Sequence, residues 1–399
     1  MYKIKLKDMK VPAYIWTEDG AMEAGTLRQI QNLSMLRSAF HHIVLCPDGH
    51  QGYGMPIGGV LATKGTIIPN AVGVDIGCGM CAVKTSLTDI SRSDLESIKA
   101  KIRLKVPVGF HHHELRTMWS GFKLAPTSSP IVQQELQASH YQLGTLGGGN
   151  HFMEIQQDQA DGRIWLMLHS GSRNFGLKIA KYYNTIAKKA CDMWDSDIPN
   201  TDLAFLPLDS EEGIEYINAM EYALKFAKES RRRMMFSMIN TLKWYYHVEH
   251  KIKDLVECDT IIDVHHNYAR MENHFGHNVM VHRKGAISAR KGETGIIPGS
   301  QGTLSYIVEG LGNPDSFMSC SHGAGRRMSR TQARKELDFV AEVAKLEETG
   351  TAHCLKHPKQ LDEAPGAYKD IEDVMANQSD LVKIVAALKP LATIKSGPE

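Results

Sequence analysis

The sequence predicts one α+β domain carrying a helical insertion near residues 200–250. Three observations carry this. A short apolar run rich in β-formers leads five times into a loop of Gly with His, Asp, Asn or Cys. Such loops at strand ends let the backbone approach a ligand closely. Second, Ile217, Met220, Leu224, Ala227, Met235, Met238 and Leu242 recur near a 3.6-residue period, which predicts a long helix from 211 to about 250. Third, no repeat, low-complexity tract or Pro/Ser linker divides the chain, and its candidate site residues run from Asp48 to Lys395. Cutting the chain would cut the site.

Taken in order, Ile43-Val44-Leu45 leads into Pro47-Asp48-Gly49-His50-Gln51-Gly52, and Ala71-Val72-Gly73-Val74 into Asp75-Ile76-Gly77-Cys78-Gly79. The run Ile164–Leu168 leads into His169-Ser170-Gly171-Ser172-Arg173, and Ile261–Val264 into His265-His266-Asn267. Phe317–Cys320 leads into Ser321-His322-Gly323-Ala324-Gly325-Arg326. Ser329 followed by Gln332 is a capping-box signal, so a helix begins just after this last loop. Asp370 is read as the cap of a further helix through Leu388, ended by Pro390, with a final strand Leu391–Ile394 carrying Lys395.

Of the 399 residues, 42% are hydrophobic and 23% charged, enough for a large core. A net charge of +1 supplies no global field toward nucleic acid or anionic membrane, so RNA binding requires a local basic surface or metals. The N-terminus lacks a signal-peptide core, and no run of ~18 apolar residues suits a spanning helix. Seven irregularly spaced cysteines argue against a disulfide framework. The expectation is a cytoplasmic protein with reduced thiols and no membrane contact.

The residues that carry chemistry cluster in the loops. Asp75 and Cys78, three apart between glycines, can point at one metal cluster, because a thiolate can bridge two ions while carboxylate and imidazole complete their shells. The alternative is a buried strand and turn with Cys78 as a small hydrophobe. Cys78-Gly79-Met80-Cys81 also forms a CxxC, but no second pair follows and Cys81 reads as structural. His151, His169 and His266 stand at strand ends beside Gly or Asn, a setting that suits ligands. The run His111–His113 lacks that setting and reads as a solvated turn. Pro298-Gly299-Ser300-Gln301-Gly302 and His322–Arg326 resemble anion-binding loops, the second leading toward a helix N-terminus. His322 either attacks a phosphate as neutral imidazole or only donates a hydrogen bond to it; residue chemistry alone leaves both open. Among basic residues, Arg231–Arg233 read as a solvated helix face, whereas Arg173 in its Gly-Ser loop is the better phosphate ligand.

Ten stretches together resemble the RtcB family of RNA ligases: PDGHQGYG, GVDIGCGM, LGTLGGGNHFMEI, MLHSGSRNFG, HHNYA, RKGAISA, GIIPGSQG, SCSHGAGRRMSR, AYKDIEDVMANQSDLV and IKSG. They follow the family's order and span nearly the whole chain, which is far more specific than any single motif. Two positions depart from it: Gly49 replaces a valine, and Cys81 stands where some bacterial members carry asparagine.

The resemblance implies a single compact domain over 1–399 with mixed β-sheets and flanking helices. It implies joining of an RNA 3′-phosphate or 2′,3′-cyclic phosphate to a 5′-hydroxyl, using GTP and two manganese ions. His322 would take GMP. One metal would sit among Cys78, His169 and His266, the other among Asp75, Cys78 and His151. Asn150, His151, Phe152, Met153, Glu154, His266, Asn267, Pro298, Gly299, Ser300, Gln301, Ser305, Gly323, Ala324, Gly325, Tyr368 and Lys395 would join His322 in holding the nucleotide, and Arg173 would meet RNA. Some relatives need an archease-type activating protein. Two readings compete: a binuclear phosphoesterase in which His322 merely contacts phosphate, and a non-catalytic GTP- or RNA-binding module.

Overall fold

In the computed structural model, which describes residues 1–6, 8–17, 20, 22–251 and 257–397, two large sheets carry the chain. The seven-stranded sheet runs Ile262–His265, Gly79–Lys84, Ile164–Ser170, Phe152–Asp158, Val382–Ile394, Ser305–Gly310, Thr294–Ile297, with every neighbouring pair antiparallel. The six-stranded sheet runs Tyr2–Ile4, Ala13–Ile15, Ala39–His50, Ile57–Thr63, His277–Lys284, Asn267–His274 and contains one parallel pair, Ala13–Ile15 with Ala39–His50. The protein is therefore α+β with mixed sheets.

Strand parity explains how the core is divided and why site residues share a face. Ile164, Leu166 and Leu168 pack in one cluster with Met234, Met235, Met238 and Leu242 of the long helix. Trp165 and Met167 point the other way, toward Met80, Ala82, Phe152 and Leu388. Since strand side chains alternate, His169 falls on the second face and Cys81 on the first. Cys81 accordingly packs against the helix, which is the physical reason Cys78 and Cys81 do not form a pair.

The predicted long helix spans Glu211–Glu249 and is capped by the Ser210 hydroxyl, which accepts from the Gly213 amide. Its first half packs Tyr216, Met220 and Ala223 against Phe175, Ile179 and Tyr183 of the helix Phe175–Met193, and its second half covers the seven-stranded sheet. Arg231 does not lie on the solvated face that its charge run suggested. It is fully buried, with Nε and Nη2 each 2.8 Å from an Asp263 carboxylate oxygen and Nη1 bonded to the carbonyls of Gly77 and Ser170. The guanidinium thus ties the helix to two loops that carry site residues. Arg231→Met strands the nearly buried Asp263 carboxylate, and we expect a loss of about 3–5 kcal/mol in urea unfolding. Adding Asp263→Leu restores most of it; equal instability of the single and double variants would contradict this account.

Other expectations need correction. Ala71–Val74 is not a strand: Pro69 occupies the first turn of a short helix, Pro69–Val72, where its missing N–H costs nothing. Asp370 does cap a helix, its carboxylate accepting from the Glu372 amide, but that helix ends at Ala376. Val382–Ile394 is one 13-residue strand paired on both edges, and Pro390 fits because the register with Phe152–Asp158 shifts there. Long-range pairing outweighs the local helical pattern. Ser329 caps Arg330–Glu336 as expected, yet Arg326–Met328 separate this helix from Gly323–Gly325. The loop's own amides, not the helix dipole, are what an anion would meet there. His111–His113 lie in an irregular, largely exposed segment. No helix among the described residues is long and apolar enough to cross a membrane.

Candidate active site and metal centre

His322 follows directly on the strand Ser319–Ser321, and its Nδ1 lies 2.6 Å from the Asp48 carboxylate. The same oxygen accepts from the His322 amide. Asp48 is fully buried at the end of the long strand Ala39–His50, whose register slips between Leu45 and His50. Burial pushes its carboxyl up, but the hydrogen bond and charge of His322 outweigh this and hold it below its usual value. Gly325 has φ +72, and a side chain there would strike the Asp48 backbone, so only glycine lets the two loops close. In a neutral imidazole, donation of Nδ1–H to Asp48 leaves the lone pair on Nε2.

Five potential ligands converge beside it. Cys78, His169 and His266 form one group of three and Asp75, Cys78 and His151 another, each with its donor atoms within 4.8 Å of one another. Cys78 Sγ stands 3.2 Å from His169 Nε2 and 3.4 Å from His151 Nε2; His169 and His266 present Nε2 atoms 2.9 Å apart. Asp75 lies 3.3 Å from His151 Nε2. His169 Nδ1 is 3.2 Å from the Asn150 carbonyl and donates to it, which directs its Nε2 lone pair at the cluster. Burial, reinforced by neighbouring histidines, pushes His169 and His266 well down, so both present neutral imidazoles to the cluster. Burial, then the Asp75 charge, pushes the Cys78 thiol well up. A buried thiol between imidazoles and a carboxylate fits a divalent cation, which would hold it as thiolate.

A cavity of about 240 Å³ opens beside His322 and reaches His169 of the cluster. Asn150, Phe152, Glu154, Pro298, Gly299, Ser300, Gln301, Gly323, Ala324, Gly325, Tyr368 and Lys395 line it together with His322. Met153 is not among them; strand parity sends it into the core with Leu166 and Leu168. Ser305 is buried as a strut, accepting from the Gly299 amide and from Gln156. Asn267 is likewise a strut, donating to the Asp75 carbonyl and accepting from the Gly285 amide. His266 and Asn267 line a separate groove of about 830 Å³ that also reaches Asp75, Cys78 and His322. Half-buried Arg173 donates to the Thr145 hydroxyl and the Gly109 carbonyl, strapping two loops next to the cluster.

Sequence reasoning named Asp48 as a candidate site residue but gave it no role, and it missed Glu363. Asp48 stands in a motif already noted, so its loop was the signal. Glu363 lies in a 3-10 segment, Pro358–Glu363, with no Gly-rich loop around it. Its carboxylate accepts from Tyr368 Oη at 2.7 Å and Lys395 Nζ at 3.1 Å, with Arg326 and Arg330 at 3.5 and 3.6 Å. Burial pushes Glu363 up, but Lys395 and Arg330 outweigh it and hold the carboxyl below its usual value.

Glu154 differs. Burial raises it from 4.5 to about 7 although Thr393, Gln156 and Lys395 oppose the shift. The folded chain therefore retains a proton that the unfolded chain releases. That contribution to stability is complete below about pH 4.5 and is lost as pH rises through about 7. Glu154→Gln removes the dependence, and Gln156 can turn its unpartnered Oε1 toward the new amide. In urea titrations without ligands, we expect the variant to match the parent near about pH 5 and exceed it by roughly 2–3 kcal/mol near about pH 8. A gap that does not widen with pH would refute this.

The fold and these residues define a class: a protein in which an Asp-held histidine stands beside a candidate two-ion centre and a cavity of about 240 Å³. Comparison with known proteins narrows it. The family model described as tRNA-splicing ligase RtcB matches residues 29–396. The chain is 40% identical over 403 residues to the RNA-splicing ligase RtcB1 of one Escherichia coli strain, covering 96% of this chain and 97% of that protein. It is 39% identical to the RNA-splicing ligase RtcB of Escherichia coli strain K12, with the same coverage. The tRNA-splicing ligase RtcB of Thermococcus kodakarensis is 30% identical over 463 residues, covering 98% of this chain and 95% of the relative. This chain belongs to the RtcB family of RNA-splicing ligases.

Proposed function

We propose that the chain, acting as one domain over residues 1–399, ligates RNA 3′-phosphate or 2′,3′-cyclic phosphate ends to 5′-hydroxyl ends through a His322–GMP intermediate, with GTP as nucleotide donor. The observation that carries this is the 2.6 Å contact between His322 Nδ1 and buried Asp48, which leaves Nε2 as the nucleophile. His322 Nε2 attacks the α-phosphorus of GTP; the N–P bond forms and pyrophosphate leaves. The Asp48 carboxylate offsets the positive charge that the imidazole then carries. The RNA 3′-phosphate, freed by water where the end is cyclic, next takes GMP and restores neutral His322. Finally the 5′-hydroxyl attacks the activated phosphate, and GMP leaves.

Around that step, Asn150, Phe152, Glu154, Pro298–Gln301, Gly323–Gly325, Tyr368 and Lys395 hold the nucleotide, with Glu363 orienting Lys395 and Tyr368. When ionised, Glu154 accepts from N–H groups such as those on the guanine edge. Cys78, His169 and His266 would hold one divalent ion and Asp75, Cys78 and His151 another, and such ions would supply charge neutralisation for the clustered phosphates. Thiolate with imidazole suits softer ions such as zinc, while the Asp75 carboxylate suits manganese; manganese follows from the family resemblance. Arg173 stands close enough to the cluster to serve an RNA phosphate. An archease-type activating protein and a cytoplasmic setting accompany this reading.

The test is incubation with α-labelled GTP and manganese, followed by an RNA strand with 3′-phosphate and 5′-hydroxyl ends. Acid-labile, alkali-stable label on the protein and a sealed strand are expected. Absence of label across several metals and nucleotides, in folded protein, would move the assignment to a binuclear phosphoesterase.

A further inference from the structure

We infer that the groove beside the metal ligands seats the phosphate-bearing end of a single-stranded RNA, with Tyr53 as the platform on which a terminal base stacks. This rests on the ligase reading and adds to it Tyr53, a residue to which that reading gives no role. The inner cavity and the groove are separate spaces of about 240 and 830 Å³. They share one wall, made of His50, Ile57, Asn150, His322, Arg326 and Arg330. A nucleotide in the inner cavity therefore leaves the groove free as an approach to the other side of His322. The larger space suits a chain end better than a second mononucleotide.

Tyr53 stands in the groove wall with 74% of its surface exposed. Its loop is nevertheless held firmly. Gln29 donates to the Gly52 carbonyl at 2.6 Å and accepts from the Gly52 amide at 3.1 Å. Lys284, a buried amine, donates to the Tyr53 carbonyl at 2.5 Å and to the Asn70 carbonyl at 3.1 Å. Among the described residues the Tyr53 ring joins no hydrogen bond or ring contact. A fixed backbone presenting a free aromatic face loses little freedom on stacking, and every base has a face to offer. On the shared wall Arg326 is held by Glu363 and the Asp362 carbonyl, whereas the half-exposed Arg330, 3.6 Å from Glu363, has the reach to meet a phosphate end. The wall mixes apolar Ile57, Val74 and Met328 with charged Asp75, Lys284 and Arg330, which suits a stacked base that carries a phosphate better than a purely apolar protein segment.

The experiment uses the full chain and a fluorescein-labelled oligoribonucleotide ending in a 3′-phosphate, with binding read by anisotropy and ligation by KM for RNA. Tyr53→Ala should raise both Kd and KM roughly 5- to 100-fold, the range of one lost stacking contact. Tyr53→Phe and Tyr53→Trp should stay within about threefold of the parent, because stacking needs the ring and not the hydroxyl. Tyr53→Gln repeats the loss with bulk retained, and labelling by GTP, which needs no RNA, reports on folding. Unchanged affinity in Tyr53→Ala, or equal loss in Tyr53→Phe, would overturn the proposal. If the parent protein takes no label from GTP, the ligase reading falls, and the anisotropy series still decides the groove by itself.

Discussion

His322→Ala is expected to leave no GMP on the protein and to lower ligation by at least about a thousandfold, because the proposed nucleophile is gone. The informative companion is Asp48→Asn. An asparagine amide can donate to Nδ1, which favours the tautomer carrying its proton on Nε2 and so removes the nucleophilic lone pair. The charge that offsets the imidazolium disappears as well. We expect adduct formation to slow by roughly a hundred- to ten-thousandfold while GTP affinity changes little, since Asp48 is not among the cavity-lining residues. Single-turnover labelling with α-labelled GTP separates rate from binding. Label persisting in His322→Ala would place the nucleophile elsewhere. Asp48→Asn at the parent rate would show that the 2.6 Å contact does not set the tautomer.

Much of this arrangement was legible in the sequence, and the reason is chemical. Gly-rich loops after β-forming runs are local signals, so the ligand candidates Asp75, Cys78, His151, His169 and His266 stood out before any coordinates, and the structure brings their donor atoms together. Caps were equally local: Ser329 and Asp370 each accept from an amide two or three residues ahead. What escaped was set by contacts distant in sequence. Asp48 and His322 meet across 274 positions, and Glu363 meets Lys395 across 32. The stretch Val382–Leu388 reads locally as helix and joins the predicted strand Leu391–Ile394 in one strand only because Ser305–Gly310 and Phe152–Asp158 flank it. Arg231 looked like surface because its neighbours Arg232 and Arg233 pair with Glu229, while its own partner, Asp263, lies 32 residues on. Pleat parity, which removes Met153 from the cavity, becomes usable only once the strand is placed.

Cys78 is where the largest effect on the candidate metal centre is expected, because it is the one residue common to both ligand groups. His266→Ala should cost the ion in its own group and His151→Ala the ion in the other, whereas Cys78→Ala should cost both. Measured as bound manganese per chain after desalting, each histidine variant retains about one ion and the cysteine variant close to none. Ligation in Cys78→Ala falls by at least about a thousandfold. Cys78→Ser does not rescue it, since a buried hydroxyl ionises even less readily than the thiol that burial and Asp75 already push up. The same shift predicts that loading releases a proton: the thiol is protonated in the empty protein and ionised when it ligates. Affinity for the ion should therefore rise with pH, and a pH dye should record the release in parent protein but not in Cys78→Ala. Retention of one ion in Cys78→Ala would mean that the sulfur serves a single ion, and the two groups of three would then have to be read as one site and a neighbouring hydrogen-bonded pair.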